Sequence, residues 1–297
     1  MHQEWAPEGD GPCIPETLRR EFPGAEVLNL AAGAQNSAKV RAITSQAVLF
    51  EPDLIVIATC NNEGVLPRSE VDLRLRQSAG YRMLQHIVTG PYEGARPQHT
   101  PQDPDVDAVR EAFRDNIRAM ISDAERANVP VVLATLPVNL RYADTDSGHV
   151  IQGYTAPHRD RPPPNHDANP YRRTPPEAVD DLLAELSYDS IEDLRAAGLL
   201  LYQAERYEEA RAALEQYTEL MPRNRCRPSF NDVIREEAAR APNVTLVDLD
   251  LWARSVAPHG LPGDDLFVDY CHMNEEGYWQ AGAEVSRVIQ ESGILSH

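Results

Sequence analysis

Short, continuous runs of apolar residues recur along the chain and are separated by longer mixed stretches. The runs predict β-strands at residues 25–30, 53–59, 129–135 and 243–248. Because each run is continuous rather than alternating, we expect strands that are buried on both faces, as in a parallel sheet covered by helices. Helices are predicted at residues 37–50, 68–88, 105–128, 229–240 and 274–290. This alternation of strand and helix predicts a doubly wound α/β domain.

The alternation stops between residues 141 and 225. A proline-rich stretch begins this region and predicts a long surface loop, because proline interrupts both helices and strands. Two helices are then predicted, at residues 193–204 and 207–220. The pair resembles a single tetratricopeptide unit in its residues Gly198, Tyr207, Ala210, Leu214 and Pro222. One repeat cannot bury its own faces, so an αα-hairpin packed on the main domain is an equal alternative to a protein-binding repeat.

These patterns divide the chain into four segments. Residues 1–141 form the first part of the α/β domain, and residues 225–297 form its C-terminal part. Between them lie a proline-rich loop insertion, residues 142–190, and the helical hairpin, residues 191–224.

Composition narrows the class of function. The hydrophobic fraction of 42% is ordinary for a globular protein, whereas the net charge of −19 argues against binding to nucleic acid or to anionic membranes. The chain has no apolar leader and no run of about 18 apolar residues, so we expect a cytoplasmic protein without a membrane span. The four cysteines form no Cys-x-x-Cys pair, and neither a disulfide framework nor a metal or other cofactor is expected.

The chemistry-bearing residues cluster most clearly near the C-terminus. Asp269 and His272 stand three residues apart on a predicted bend, directly before a helix that begins at about Asn274. A carboxylate held this close to an imidazole can fix its tautomer and stabilise the imidazolium, which leaves Nε2 to accept a proton from a nucleophile. A structural Asp–His pair remains the alternative for this segment alone.

Two further segments follow predicted strands. Asn62 comes directly after the second strand, at the edge where open α/β sheets bind ligands, and its amide could donate to a developing oxyanion. An ordinary turn is the alternative, because Asn61 and Asn62 are turn-forming residues. After the first strand, the small residues around Gly33 and Ala34 could let backbone N–H groups approach a ligand.

Taken together and in this order, the three segments resemble the conserved blocks of the SGNH (GDSL) hydrolase family, most closely a subgroup with a tetratricopeptide-like insertion. The resemblance implies a three-layer α/β/α flavodoxin-like fold. It also implies that His272 is the catalytic base, Asp269 its orienting carboxylate and Asn62 an oxyanion-hole donor, with the backbone at Gly33 or Ala34 contributing a second donor. Cys60 replaces the glycine that is usual in the Asn62 block.

The family's first block, a Gly-Asp-Ser motif that carries the nucleophile after an N-terminal strand, is not found in this sequence. Gly9-Asp10-Gly11 is the only similar stretch, and Cys13 is a second, weak candidate. We expect a truncated reading frame. The alternatives are a homologue that has lost catalysis and a second chain that supplies the strand. In the family the missing strand lies in the middle of the sheet, so its absence would expose strand edges.

The expected activity is hydrolysis or transfer of an O-acyl ester, carried by a small molecule or a glycan. Arg141, Arg225 and Arg227 are candidate contacts for an acidic or acylated substrate, although surface ion pairs are the more common role of such arginines. The alternative function is a non-catalytic binding or scaffold protein that recruits a protein partner through the helical hairpin.

Overall fold

The computed structural model describes residues 13–31, 35–63, 106–142, 175–186, 191–220 and 225–295. Three strands form a parallel sheet in the order β1-β2-β3: β1 (Ile55–Ala58), β2 (Val131–Ala134) and β3 (Val244–Val247). Their registers align Ile55 with Val131 and Val131 with Val244. The sheet confirms three of the predicted strands and the parallel α/β class.

Nine α-helices surround or extend this sheet in the described residues. They are α1 (Ile14–Glu21), α2 (Ser37–Ala47), α3 (Val106–Arg126), α4 (Val179–Ala184), α5 (Ile191–Gln203), α6 (Tyr207–Leu220), α7 (Pro228–Arg240), α8 (Leu249–Val256) and α9 (Glu275–Ser292). Short 3-10 turns occupy Val48–Phe50, Pro176–Ala178 and Pro258–Gly260. None of the helices in these parts of the chain is long and apolar enough to cross a membrane.

The sheet buries both of its faces because its apolar runs are continuous. Val131 and Leu133 belong to a core that includes Phe113 of α3 and Phe230 of α7, whose stacked rings are 5.2 Å apart. The intervening residues of β2 belong to a second core formed with α1 and α9. Helices therefore cover the sheet on both sides, as the pattern predicts.

The predicted strand at residues 25–30 is wrong. No strand is assigned in the described segment 13–31, and Leu28 and Leu30 are 63% and 51% exposed. An extended segment becomes a strand only when a neighbour accepts its backbone hydrogen bonds, and none of the described strands lies beside this one. The predicted helix at residues 68–88 lies outside the described residues.

The insertion is described in part. Residues 176–184 are helical, contrary to the predicted loop, whereas most of the proline-rich stretch lies outside the described residues. The helical hairpin is confirmed as α5 and α6. Gly198 is required at their contact, because an added Cβ would lie 2.4 Å from Cγ of Leu214. Ala210 is completely buried in the same hairpin, and Pro222 lies outside the described residues.

Candidate active site

The Asp269–His272 turn is a tightly hydrogen-bonded unit. Oδ2 of Asp269 lies 2.7 Å from Nδ1 of His272. The other carboxylate oxygen accepts the backbone N–H groups of Cys271, at 2.9 Å, and of His272, at 2.7 Å. Because both oxygens of the buried carboxylate are used, the imidazole is held in one orientation. This is the contact that the three-residue spacing predicts.

The local sequence explains why the turn has this shape. Phe267 and Met273 form an antiparallel bridge across it, and Val268 donates its backbone N–H to the carbonyl of His272 at 2.9 Å. The helix that follows is capped by Asn274, whose side chain accepts the backbone N–H of Gly277 at 2.8 Å. The turn is thus closed at its base by a bridge and at its exit by a helix cap.

The electrostatics of the pair favour an imidazolium beside a carboxylate. Burial acts to raise the pKa of Asp269, but the hydrogen bond and charge of His272 outweigh burial and lower it. Burial likewise acts to lower the pKa of His272, but Asp269 and Cys271 outweigh it and raise the value to about 10. The pair therefore stabilises positive charge on the ring, which is the state a general base reaches after it takes a proton. Because the raised pKa keeps the ring largely protonated at neutral pH, the neutral form that acts as a base becomes more populated as the pH rises toward 10.

The loop after β2 attaches this turn to the sheet. The buried amide of Asn139 donates to the carbonyl of Asp269 at 3.1 Å and to the carboxylate of Asp264 at 2.9 Å. Its backbone N–H also donates to the carbonyl of Tyr270 at 3.1 Å. The positioning role of Asn139 was not predicted. Its signal in the sequence is a lone polar residue between the apolar Val138 and Leu140.

Asn62 is docked against the start of α2. Its side-chain amide donates to the carbonyl of Gln35 at 3.0 Å, so one of its two hydrogens is already engaged. The neighbouring buried Glu63 accepts the hydroxyl of Ser37 at 2.7 Å and its backbone N–H. Burial raises the pKa of Glu63 despite these hydrogen bonds. Ser37 is completely buried at this contact.

A disulfide joins the Asn62 loop to a distant part of the chain. Cys60 and Cys226 are bonded across 166 residues, which overturns the expectation that the cysteines would stay unpaired. Oδ1 of Asn61 accepts the backbone N–H of Cys226 at 2.9 Å, so the two loops are tied twice. The bond was missed because the partners lie in separate loops without a paired-cysteine motif. Cys13 and Cys271 are the free cysteines of the described residues.

Arg225 lies next to this disulfide and packs among aromatic rings. Its guanidinium carbon is 5.3 Å from the ring centroids of Tyr217 and Tyr270, and 5.6 Å from that of Tyr142. The ring of Tyr270 is in turn 6.3 Å from that of His272. Arg225 therefore connects the disulfide-linked loops to the Asp269–His272 turn.

The other two candidate arginines have structural contacts. Arg141 pairs with Asp265, donates to the carbonyl of Leu261 at 2.8 Å and lies 3.3 Å from the hydroxyl of Tyr202. Arg227 is buried, with its guanidinium 5.7 Å from the ring centroid of Phe230. Substrate contact by either arginine stays a prediction.

These contacts bring the separate segments to one edge of the sheet. The loops of Asn62 and Asn139 follow β1 and β2, and parallel neighbours end at the same edge. The second loop holds the Asp269–His272 turn, and the disulfide joins the first loop to Arg225. Gly33, Ala34 and the Gly9-Asp10-Gly11 stretch lie outside the described residues. Cys13 lies at the N-cap of α1, which packs along α9.

The same turn contains atoms of the types that bind metals. Ligand atoms of Asp269, Cys271 and His272 all lie within 4.8 Å of one another. Nδ1 of His272 is, however, engaged by the carboxylate and lies 3.7 Å from Sγ of Cys271. A metal ion bound at Nδ1 would have to replace the Asp269–His272 hydrogen bond.

Comparison of the chain with protein-family models, with curated proteins and with solved structures gives no match. Function is therefore inferred from the geometry of the site.

Proposed function

We propose that this chain carries the acid–base half of an SGNH-type active site and acts in the hydrolysis or transfer of an O-acyl ester. The observation that carries the proposal is the 2.7 Å contact between the buried carboxylate of Asp269 and Nδ1 of His272. It is supported by the attachment of this turn to the carboxyl end of a parallel sheet, where α/β enzymes bind their substrates. On this proposal the sheet is the remainder of a flavodoxin-like, three-layer domain.

Each residue then has a distinct role. His272 takes the proton of a nucleophilic hydroxyl at Nε2 and returns it to the leaving alcohol, while Asp269 stabilises the ring when it is charged. Asn62 donates to the oxyanion of the tetrahedral intermediate, together with backbone N–H groups near Gly33 and Ala34. We assign the nucleophile to a serine outside the described residues.

Cys271 does not suit the role of nucleophile. Its sulfur lies 3.7 Å from Nδ1 of His272, which is the nitrogen that Asp269 already holds. The proposed base atom is Nε2, on the opposite side of the ring. Burial also raises the pKa of the thiol, although His272 and Arg225 act in the other direction. A raised pKa reduces the thiolate that a cysteine nucleophile requires.

The disulfide bears on where the reaction takes place. Buried structural disulfides form and persist in oxidising compartments and are rare in the reducing cytosol. The Cys60–Cys226 bond therefore weighs against the cytoplasmic location expected from the sequence. We propose that the substrate is an acyl ester on a small molecule or a glycan in such a compartment.

The proposal is tested with a short-chain p-nitrophenyl ester. The protein, expressed with any in-frame sequence that precedes Met1, is expected to cleave the ester, and His272→Ala is expected to abolish cleavage. His259→Ala is a matched control, since it also removes a histidine but one without a role in the proposed reaction. The ring of His259 stacks on that of Tyr207, with centroids 3.7 Å apart. Cleavage at the wild-type rate by the His272→Ala variant would reject the assignment.

The alternative of a non-catalytic binding module is favoured by one observation, the close-packed hairpin of α5 and α6. It predicts no ester cleavage and a protein partner whose capture is lost when the exposed Leu220 of α6 is replaced by aspartate. A folded Leu220→Asp variant that still captures the partner would exclude this face of α6 as the binding surface.

A further inference from the structure

Arg225 is a buried cation with an unused hydrogen-bond donor. The residue is 7% exposed, and its Nη1 atom is fully buried without a hydrogen-bond partner. Within the described residues its side chain forms no ion pair, in contrast to Arg114 and Arg235, which each contact two or more carboxylates. A buried arginine without an ion pair in the described part of the chain stands out in a protein with a net charge of −19.

The aromatic rings around Arg225 compensate for its burial only in part. Cation–π contacts with Tyr142, Tyr217 and Tyr270 attract the positive charge. Ring faces do not, however, replace oxygen acceptors for the five N–H donors of a guanidinium. Burial of a donor without an acceptor costs free energy, and the cost is larger when the group is charged. The buried Nη1 of Arg225 therefore needs an acceptor that the described residues do not supply.

The position of Arg225 indicates where that acceptor would come from. Two contacts fix its surroundings: the next residue, Cys226, is bonded to Cys60, and the ring of Tyr270 contacts both the guanidinium of Arg225 and the ring of His272. Arg225 is thus linked to the loop of the proposed oxyanion donor and to the loop of the proposed base. A ligand that reaches both loops also reaches the neighbourhood of Arg225.

We propose that Arg225 binds a carboxylate of the substrate, so that the preferred ester carries a negative charge close to the bond that is cleaved. This inference rests on the proposed function for its location, but not for its test. A guanidinium packed among aromatic rings offers hydrogen-bond donors along its planar edge, and a carboxylate matches that edge with two parallel hydrogen bonds. An unpaired buried cation also provides local attraction for an anion in an otherwise acidic protein.

Direct binding tests the proposal without ester cleavage. Glutarate and the neutral glutaramide are titrated into the wild-type protein by calorimetry, with inorganic phosphate as a third ligand. We expect glutarate to bind at least tenfold more tightly than glutaramide and phosphate. Equal affinity for glutarate and glutaramide overturns the role of charge, and a preference for phosphate overturns the assignment to a carboxylate.

Variants assign the binding to this residue. Arg225→Gln is expected to weaken glutarate binding at least tenfold. Arg287→Gln is the matched control, since it makes the same change on an exposed part of α9 and is expected to leave binding within twofold. If circular dichroism shows that Arg225→Gln is unfolded, Arg225→Lys is used instead. Lysine keeps the charge but lacks the paired N–H donors of a guanidinium. Wild-type affinity in either folded variant overturns the proposal.

The outcome is separable from that of the proposed function. Ester cleavage that glutarate does not inhibit would leave the hydrolase assignment intact and reject the carboxylate site. Glutarate binding that depends on Arg225 in a protein without ester cleavage would support the carboxylate site and reject the hydrolase assignment.

Discussion

Removal of the Cys60–Cys226 disulfide is expected to lower the free energy of unfolding by roughly 3–5 kcal/mol. The bonded cysteines are 166 residues apart, and the loop-closure model gives about 5 kcal/mol for a loop of that length. Typical measured values are about 2–4 kcal/mol, because the unfolded chain is not ideal. A domain with a total stability of about 5–15 kcal/mol would therefore lose a large part of it.

The measurement is urea unfolding followed by tryptophan fluorescence. Wild-type protein is compared with and without dithiothreitol, which opens the bond but leaves both sulfur atoms in the core. The Cys60→Ala/Cys226→Ala variant is measured beside it, and a larger loss there reports the cavity left by two buried sulfurs. Cys13→Ala is the control, since it removes a partly exposed free thiol and should change stability by less than about 0.5 kcal/mol.

Two results would refute this reasoning. If the denatured, unreduced protein has four titratable thiols instead of two, the disulfide is absent. If the bond is present but the reductant leaves the unfolding midpoint unchanged, the cross-link does not restrict the unfolded chain as the loop-closure model requires.

Further predictions concern the Asp269–His272 pair and the hairpin. Because the pKa of His272 is raised from 6.5 to about 10, the folded state holds its proton more tightly than the unfolded state. Its contribution to stability is therefore complete below pH 6.5 and is lost as the pH rises toward 10. An NMR titration should place the His272 midpoint far above 6.5 in the wild type and near 6.5 in Asp269→Asn; a wild-type midpoint near 6.5 would contradict the prediction. Gly198→Ala should destabilise the protein by about 1–3 kcal/mol, since the new methyl group overlaps Leu214. Combining it with Leu214→Ala should cost less than the sum of the two single changes, and strict additivity would show that the two residues do not interfere.

Local patterns were sufficient for the three strands of the sheet and for the Asp269–His272 contact. Continuous apolar runs predict β1, β2 and β3 because burial on both faces leaves no alternation. The Asp269–His272 contact is predictable because three residues on a bend, followed by the cap at Asn274, bring the two side chains together. The run at residues 25–30 is less purely apolar than the true strands, since it contains Glu26 and Asn29. Apolar character alone does not supply the neighbouring strand that a ladder needs.

Contacts between distant loops were not predictable. The Cys60–Cys226 bond and the hydrogen bonds of Asn139 join residues that are more than one hundred positions apart. No spacing rule relates such residues, since their proximity depends on the path of the whole chain. The same applies to the rings around Arg225, which come from three separate parts of the sequence.

The register of the sheet determines when the site can first exist during synthesis. Ile55 pairs with Val131 and Val131 with Val244, so successive partners are 131 − 55 = 76 and 244 − 131 = 113 residues apart. At translation rates of about 5–20 residues per second, the first strand waits for several seconds before its neighbour emerges, and the second waits longer. Pairings of such long range also form slowly, because a large loop must close before any contact is gained. The ribosome therefore releases β3 and the His272 turn only after β1 and β2 have emerged, and chaperones have that interval in which to shield the waiting strands.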